Sequence, residues 1–206
     1  MTDYEKFIYK SRYARWNEEL GRRENWDETV KRYCDFFKNR EGGEHFPYEE
    51  VYNAIYNMEV MPSMRALMTA GPALERDNIS GYNCSMIPID SLRAFDEIMY
   101  ILMCGTGVGF SVEEKYVSQL PVVAETFTKS GTTIVVPDSR TGWASSLREL
   151  VSLLYSGRIP EIDYSRVRPA GARLKTFGGR ASGPEPLQRL YSYTCSLISG
   201  ARGRVS

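Results

Sequence analysis

Four cysteines and one histidine limit the chemistry open to this chain. Cys34, Cys84, Cys104 and Cys195 lie far apart with no Cys-x-x-Cys pair, and His45 is the only histidine. A zinc site needs several such ligands close together, and a serine or cysteine hydrolase needs a histidine base, so both are set aside and no metal site is expected. Cys84 stands apart from the other three. In Gly81-Tyr82-Asn83-Cys84 it lies in a stretch of turn formers, not inside a helical run. It is therefore the thiol most exposed to reaction, although burial is the ordinary fate of a cysteine. Gly105-Thr106-Gly107-Val108-Gly109-Phe110 has the look of a dinucleotide fingerprint. Its context is reversed, because that fingerprint follows a strand and opens a helix, whereas this run follows a helix and opens a strand. Ser63, Arg65 and the basic glycine-rich segment 166–183 carry the hydroxyl, backbone and guanidinium groups that hold phosphates, and a structural loop would use the same residues. Tyr9-Lys10-Ser11-Arg12-Tyr13-Ala14-Arg15-Trp16 has the mixture of a nucleic-acid face, and a helix with aromatics inward and basic groups outward explains it equally well.

These residues sit in a recognisable order of elements. The first sixty residues read as helices: an aromatic-rich start, a second helix over ETVKRYCDFF with Asp27 as its cap and Val30, Cys34 and Phe37 on one face, and a third over PYEEVYNAIYNM. Residues 62–90 are rich in turn formers and read as loops and short strands. A helix over 91–103, capped by Asp90 or Ser91, aligns Leu92, Phe95, Ile98, Met99 and Leu102, and leads into a strand over 108–112. A second strand over 132–136 precedes Pro137-Asp138-Ser139-Arg140-Thr141-Gly142 and a helix over 143–155 closed by Gly157. After the glycine- and proline-rich stretch 168–187, a last helix spans 187–199. Interleaved helices and strands predict α/β packing.

Composition excludes more than it identifies. The 206 residues carry 26 basic and 26 acidic groups, which argues against a globally basic nucleic-acid binder and against a charged disordered chain. No apolar run reaches the length of a membrane span, and Ile98–Phe110 is interrupted by three glycines. No secretory signal core is present, so a cytoplasmic protein is expected, without membrane or nucleic-acid partners. The balance is uneven: residues 121–206 hold 12 basic and 6 acidic groups, with all of the excess after Gly157. That suggests a local anionic partner or a solvated face.

Several blocks, taken in order, resemble one family. Tyr13-Ala14-Arg15-Trp16, Gly21-Arg22, Glu24-Asn25-Trp26-Asp27-Glu28-Thr29-Val30-Lys31-Arg32, Met61-Pro62-Ser63, Asn83-Cys84 and Gly107-Val108-Gly109-Phe110-Ser111-Val112 are followed by Pro137-Asp138-Ser139-Arg140, Gly142-Trp143, Arg168-Pro169, Gly171-Ala172 and Phe177-Gly178-Gly179-Arg180-Ala181-Ser182-Gly183-Pro184. Together they resemble the N-terminal part of adenosylcobalamin-dependent class II ribonucleotide reductases, most of all the monomeric ribonucleoside-triphosphate type. The resemblance implies a helical N-terminal region, 1–60, and the first part of a ten-stranded α/β barrel, 61–206, left incomplete, with an effector-binding segment at about 92–137.

The same resemblance implies roles. Cys84 would be one of two redox-active cysteines, with its partner beyond Ser206. Ser63, Asn83 and Gly107 would bind substrate, and Leu92, Phe95, Asp96, Met99, Met103 and Glu113 would bind a deoxynucleoside triphosphate effector. In the family a cobalt–carbon bond breaks homolytically, a thiyl radical removes the ribose 3′ hydrogen, the 2′ hydroxyl leaves as water, and the cysteine pair supplies two electrons. The implied partners are a ribonucleoside triphosphate, the effector, a thioredoxin-like reductant and a second polypeptide carrying the rest of the barrel. The adenosylcobalamin site is expected outside this chain, which alone is expected to be inactive. The stretch 121–137 is shorter than the nucleotide-binding insertion of the monomeric enzymes. A non-catalytic nucleotide-binding piece that complements another polypeptide is the alternative.

Overall fold

The computed structural model describes residues 1–174 and 179–204. Their contacts divide the chain after Asn83 into a helical unit and an α/β unit, further along than the change in sequence texture after residue 60.

In the helical unit, α1 (Asp3–Arg12) is capped by Thr2 and followed by a short antiparallel pair, β1 (Trp16–Asn17) and β2 (Arg22–Arg23). Helix α2 (Trp26–Lys38) begins one residue before the expected cap Asp27: Asn25 occupies the cap position, and its N–H donates to Glu28 Oε2 at 2.7 Å. Val30 and Cys34 of α2 pack with Ile55 of α3 (Tyr48–Tyr56), while Phe36, rather than Phe37, is the buried ring on the other flank, against Ala70 and Leu74. The stretch 62–90, expected as loops and short strands, ends in a strand over Cys84–Pro88, but before it come α4 (Met64–Thr69), α5 (Pro72–Arg76) and a 3-10 turn over Asn78–Gly81. Local chemistry explains both short helices, since the Ser63 hydroxyl caps α4 and Pro72 opens α5 where its missing N–H costs nothing. Glu24 ties the unit together. Its carboxylate accepts from Arg32 Nε at 2.7 Å, the Thr29 hydroxyl at 2.8 Å and the Arg15 N–H at 3.1 Å, and Arg32 goes on to donate to the carbonyl of Leu67.

The α/β unit contains two strand–helix–strand crossovers. Strand β3 (Cys84–Pro88) pairs in parallel with β4 (Gly107–Ser111) through α6 (Arg93–Met103). Beyond the short α7 (Glu114–Val117), β5 (Thr128–Val135) pairs in parallel with β6 (Arg158–Asp163) through α8 (Arg140–Tyr155). Parallel neighbours require such crossovers, so the interleaving read from the sequence corresponds to a real topology. The core gathers Ile134, Val136, Leu147, Leu150, Val151, Leu154 and Val167 with Leu187 and Tyr191 of α9 (Glu185–Gly200). The buried Tyr191 hydroxyl bonds to Ser146 and the Trp143 carbonyl, both at 3.0 Å.

Two glycines make close approaches possible here. A Cβ on Gly142 would lie 2.6 Å from Pro137 Cβ, and one on Gly157, at φ +75°, would lie 2.3 Å from the Thr126 carbonyl oxygen. Leu92, not Asp90 or Ser91, occupies the cap position of α6, and no side chain caps that helix. The barrel is partial: each parallel pair is only two strands wide, and Met86 and Phe110 on β3 and β4 are each 63% exposed. Parallel strands are ordinarily covered on both faces. Among the described residues no helix is long and apolar enough to cross a membrane.

Candidate functional site

Strands β3 and β4 place Cys84 and Gly107 opposite each other as Cα partners at the first rung of the ladder. Cys84 is exposed, as expected from its turn-rich surroundings, while Cys34 and Cys104 are buried and Cys195 is half-buried. Burial pushes the Cys34 thiol up to about 11 and also raises that of Cys195. Among the described residues none of the four cysteines is joined in a disulfide. Gly107 is exposed beside Cys84, and its carbonyl accepts from the Ser85 hydroxyl at 3.1 Å. Gly107 and Gly109 carry no Cβ, and a Cβ built at 109 would meet only the Ser85 carbonyl oxygen, at 3.7 Å. The glycine run does follow a helix and open a strand, the reverse of a dinucleotide loop.

Ser63 and Asn83 belong to the helical unit. Both are exposed, and Asn83 precedes Cys84 directly in the chain. The Ser63 oxygen accepts the Ala66 N–H at 3.1 Å, which leaves its O–H free to donate elsewhere.

The expected effector residues occupy three kinds of place. Leu92, Phe95 and Met99 pack against the core, Met103 is half-buried at the end of α6, and Glu113 is exposed beside the Ser111 hydroxyl and Lys115. Asp96 is buried at 2% exposure, with Oδ2 accepting from Arg148 Nε at 3.0 Å and Nη2 at 2.6 Å. Its Oδ1 has no hydrogen-bond partner, and the Arg93 guanidinium stands 4.0 Å away. The pair joins α6 to α8 across 52 positions of sequence, and no local pattern announces Arg148 as the partner.

The motif residues at the start of α8 are mostly committed to one another and to neighbouring elements. Asp138 accepts from Arg168 Nε at 2.8 Å, linking two of the quoted blocks. The Ser139 hydroxyl accepts the Gly142 N–H at 2.9 Å, and Arg140 Nη1 donates to Cys104 Sγ at 2.9 Å. The basic glycine-rich segment folds back on itself: the Gly171 N–H donates to the Ala181 carbonyl, the Ala181 N–H to that of Ala172, and the Leu174 N–H to that of Gly179. Phe177 and Gly178 of that block lie outside the described residues.

Among the described residues no group of three metal-ligating side chains occurs. A cleft of about 400 Å³ in the helical unit is lined by Arg32, Phe36, Asn39, Arg40, Gly71 and Pro72. The Arg32 donors there are taken by Glu24 and by carbonyls, and Arg40 bonds Asn78 while lying over the Phe36 ring. Space of this order suits at most a drug-sized molecule of roughly 300–1,000 Å³, and a cobalamin is far larger. His45, the one imidazole, is 90% exposed. The residues of this cleft do not fit the cofactor that the sequence resemblance implies.

The chain is similar to known proteins along most of its length. Residues 1–72 match the family model "Ribonucleotide reductase alpha domain", and residues 112–197 match "B12-dependent ribonucleotide reductase, insertion domain". The adenosylcobalamin-dependent ribonucleoside-triphosphate reductase of Lactobacillus leichmannii is 30% identical over 87% of this chain and 33% of its own length. The protein of the same name from Euglena gracilis is 28% identical over 96% of this chain and 30% of its own. A crystal structure of a B12-dependent class II ribonucleotide reductase superposes with a TM-score of 0.84 at 28% identity, covering 98% of this chain and 38% of that one. The chain thus spans about a third of the length of the curated relatives it matches.

Proposed function

Because this chain belongs to the B12-dependent class II ribonucleotide reductase family, we propose that it contributes one redox cysteine and part of the nucleotide sites to the reduction of ribonucleoside triphosphates. The observation that carries this reading is the exposed Cys84 at the start of a parallel strand, opposite a glycine-edged strand, between two segments that match the family. The balanced chemistry is that two thiols are oxidised to one disulfide while the ribose loses its 2′ hydroxyl as water. Cys84 supplies one of those thiols. A thiol at a strand end with an open glycine backbone beside it can reach a sugar without displacing a side chain.

Gly107, opposite Cys84, borders the substrate; for Asn83 and Ser63, both in the helical unit, a substrate-binding role rests on the family resemblance alone. Adenosylcobalamin supplies the radical initiation in this family, and no step is assigned to it on the described residues. The deoxynucleoside triphosphate effector lies along the segment 92–137. There Glu113 faces solvent, Met103 ends α6 half-buried, Leu92, Phe95 and Met99 set the wall from within, and Asp96 acts by holding Arg148. The proposed partners are a thioredoxin-like reductant, which returns the disulfide to thiols, and a polypeptide carrying the remainder of the barrel. The product serves DNA synthesis, in the cytoplasm, where free thiols persist.

A chimera tests this. These 206 residues would replace the matching third of the Lactobacillus leichmannii reductase, and turnover would be measured with a dithiol. Cys84→Ser is expected to abolish turnover while Cys34→Ser and Cys195→Ser retain it; an active Cys84→Ser chimera would refute the assignment.

A further inference from the structure

We infer that Arg140 is a positioning residue for Cys84, acting through Cys104 and the turn between α6 and β4. The inference deepens the redox reading of Cys84 and rests on it for its significance, while its geometry stands independently. Cys104 is fully buried at the end of α6, where its N–H donates to the carbonyls of Tyr100 and Ile101, both at 3.0 Å. The next two N–H groups turn back as well, Gly105 to Leu102 at 2.9 Å and Thr106 to Ile101 at 3.3 Å. Gly107 follows at once and sits opposite Cys84.

Three residues therefore decide where β4 begins. A slip of one position would set Thr106 or Val108 against Cys84 and exchange the two faces of the strand. One side-chain support for this turn comes from α8. Arg140, its first residue, donates from Nη1 to Cys104 Sγ at 2.9 Å, with its guanidinium 5.9 Å from the Tyr100 ring centre.

Arg140 is itself held in place. Ser139 caps the helix, Asp138 is fixed by Arg168, and Gly142 lies so close to Pro137 that a side chain has no room. A thiol suits the receiving end: it is apolar enough for a fully buried site, yet still accepts weakly from a charged donor. The chain of contacts runs from α8 through Arg140 and Cys104 to the turn, then to Gly107 and Cys84.

Amide hydrogen exchange of the 206-residue protein, followed residue by residue, tests the inference, with the β5–β6 ladder as internal reference. Arg140→Ala is expected to speed exchange in the β3–β4 ladder by about tenfold, the loss of one charge-assisted hydrogen bond, and to leave β5–β6 unchanged. Cys104→Ala should reproduce that pattern, Cys104→Ser should keep most of the protection because its hydroxyl still accepts, and the double alanine variant should fall short of the sum of the two singles. Unchanged β3–β4 exchange in Arg140→Ala, equal acceleration of both ladders, or additive effects would overturn it. If Arg140→Ala does not fold, the Cys104→Ser and Cys104→Ala pair decides, and equal exchange in those two would overturn it. None of these outcomes depends on whether Cys84 turns over substrate, so the redox reading and this inference fail separately.

Discussion

The ion pair between α6 and α8 is lopsided: Asp96 is 2% exposed and has one unpartnered oxygen, whereas the Arg148 side chain is 44% exposed. Removing one partner or the other therefore has unequal cost. Arg148→Met strands a buried carboxylate, whose remaining neighbour is Arg93 at 4.0 Å, and an uncompensated buried charge costs about 3–5 kcal/mol. Asp96→Leu instead frees a guanidinium that water already reaches, and it fills the space with an apolar group. The lost attraction is then offset by the desolvation that Asp96 no longer suffers, leaving about 0–1.5 kcal/mol. With a urea slope of about 1.5–2 kcal/mol/M, the midpoint should fall by roughly 2 M for Arg148→Met and by less than about 1 M for Asp96→Leu. Trp143 is the only tryptophan of the α/β unit and packs against its core, so its fluorescence follows the transition once Trp16 and Trp26 are replaced by Phe. The double variant should recover most of the loss seen in Arg148→Met. An Asp96→Leu protein as damaged as Arg148→Met, or a double variant as unstable as Arg148→Met, would refute the reasoning.

Other perturbations follow from the same geometry. Gly142→Ala gains about 1 kcal/mol in helix propensity, but its Cβ would strike Pro137, so net destabilisation of about 1–3 kcal/mol is expected in thermal or urea melts. Iodoacetamide at pH 8 should modify Cys84 first and spare Cys34, whose raised thiol pKa leaves little thiolate; peptide mass spectrometry reads this, and faster labelling of Cys34 would contradict it. The Arg22 guanidinium and the Asn25 N–H hold Glu28 down to about 2, below its ordinary value near 4.5. Its contribution is therefore complete above about pH 4.5 and lost as pH falls through about 2. Glu28→Gln should flatten that part of the acid-unfolding curve of the helical unit, monitored by Trp26.

Periodicity revealed the helices that position the site, since Leu147, Leu150, Val151 and Leu154 mark α8 without ambiguity. Of the strands, β4 and β5 were legible over 108–112 and 132–136, whereas β6 was not; β3 exposes Met86 and, like β4 with its glycines at 107 and 109, lacks the apolar run of a covered parallel strand. The two short helices of 62–90 were hidden because turn residues also serve as helix caps, as Ser63 and Pro72 do here. Cys84 was legible from its surroundings. The uses of the Pro137–Gly142 motif were not, because Asp138 meets Arg168 30 residues away and Arg140 meets Cys104 36 residues away. Asp96 was legible as an acidic residue on α6, but its burial against Arg148 depends on tertiary packing that no local spacing encodes.

The most direct test of the central claim follows the Cys84 thiol through one turnover. The chimera, with the cysteine pair near its C-terminus replaced by serine so that it cannot exchange with the new disulfide, is reduced, freed of external thiol and given adenosylcobalamin, a ribonucleoside triphosphate and effector, and its disulfides are mapped by mass spectrometry. One deoxynucleotide is expected per chain, with Cys84 joined in a disulfide in the same proportion. Deoxynucleotide formed while Cys84 remains a free thiol would contradict it.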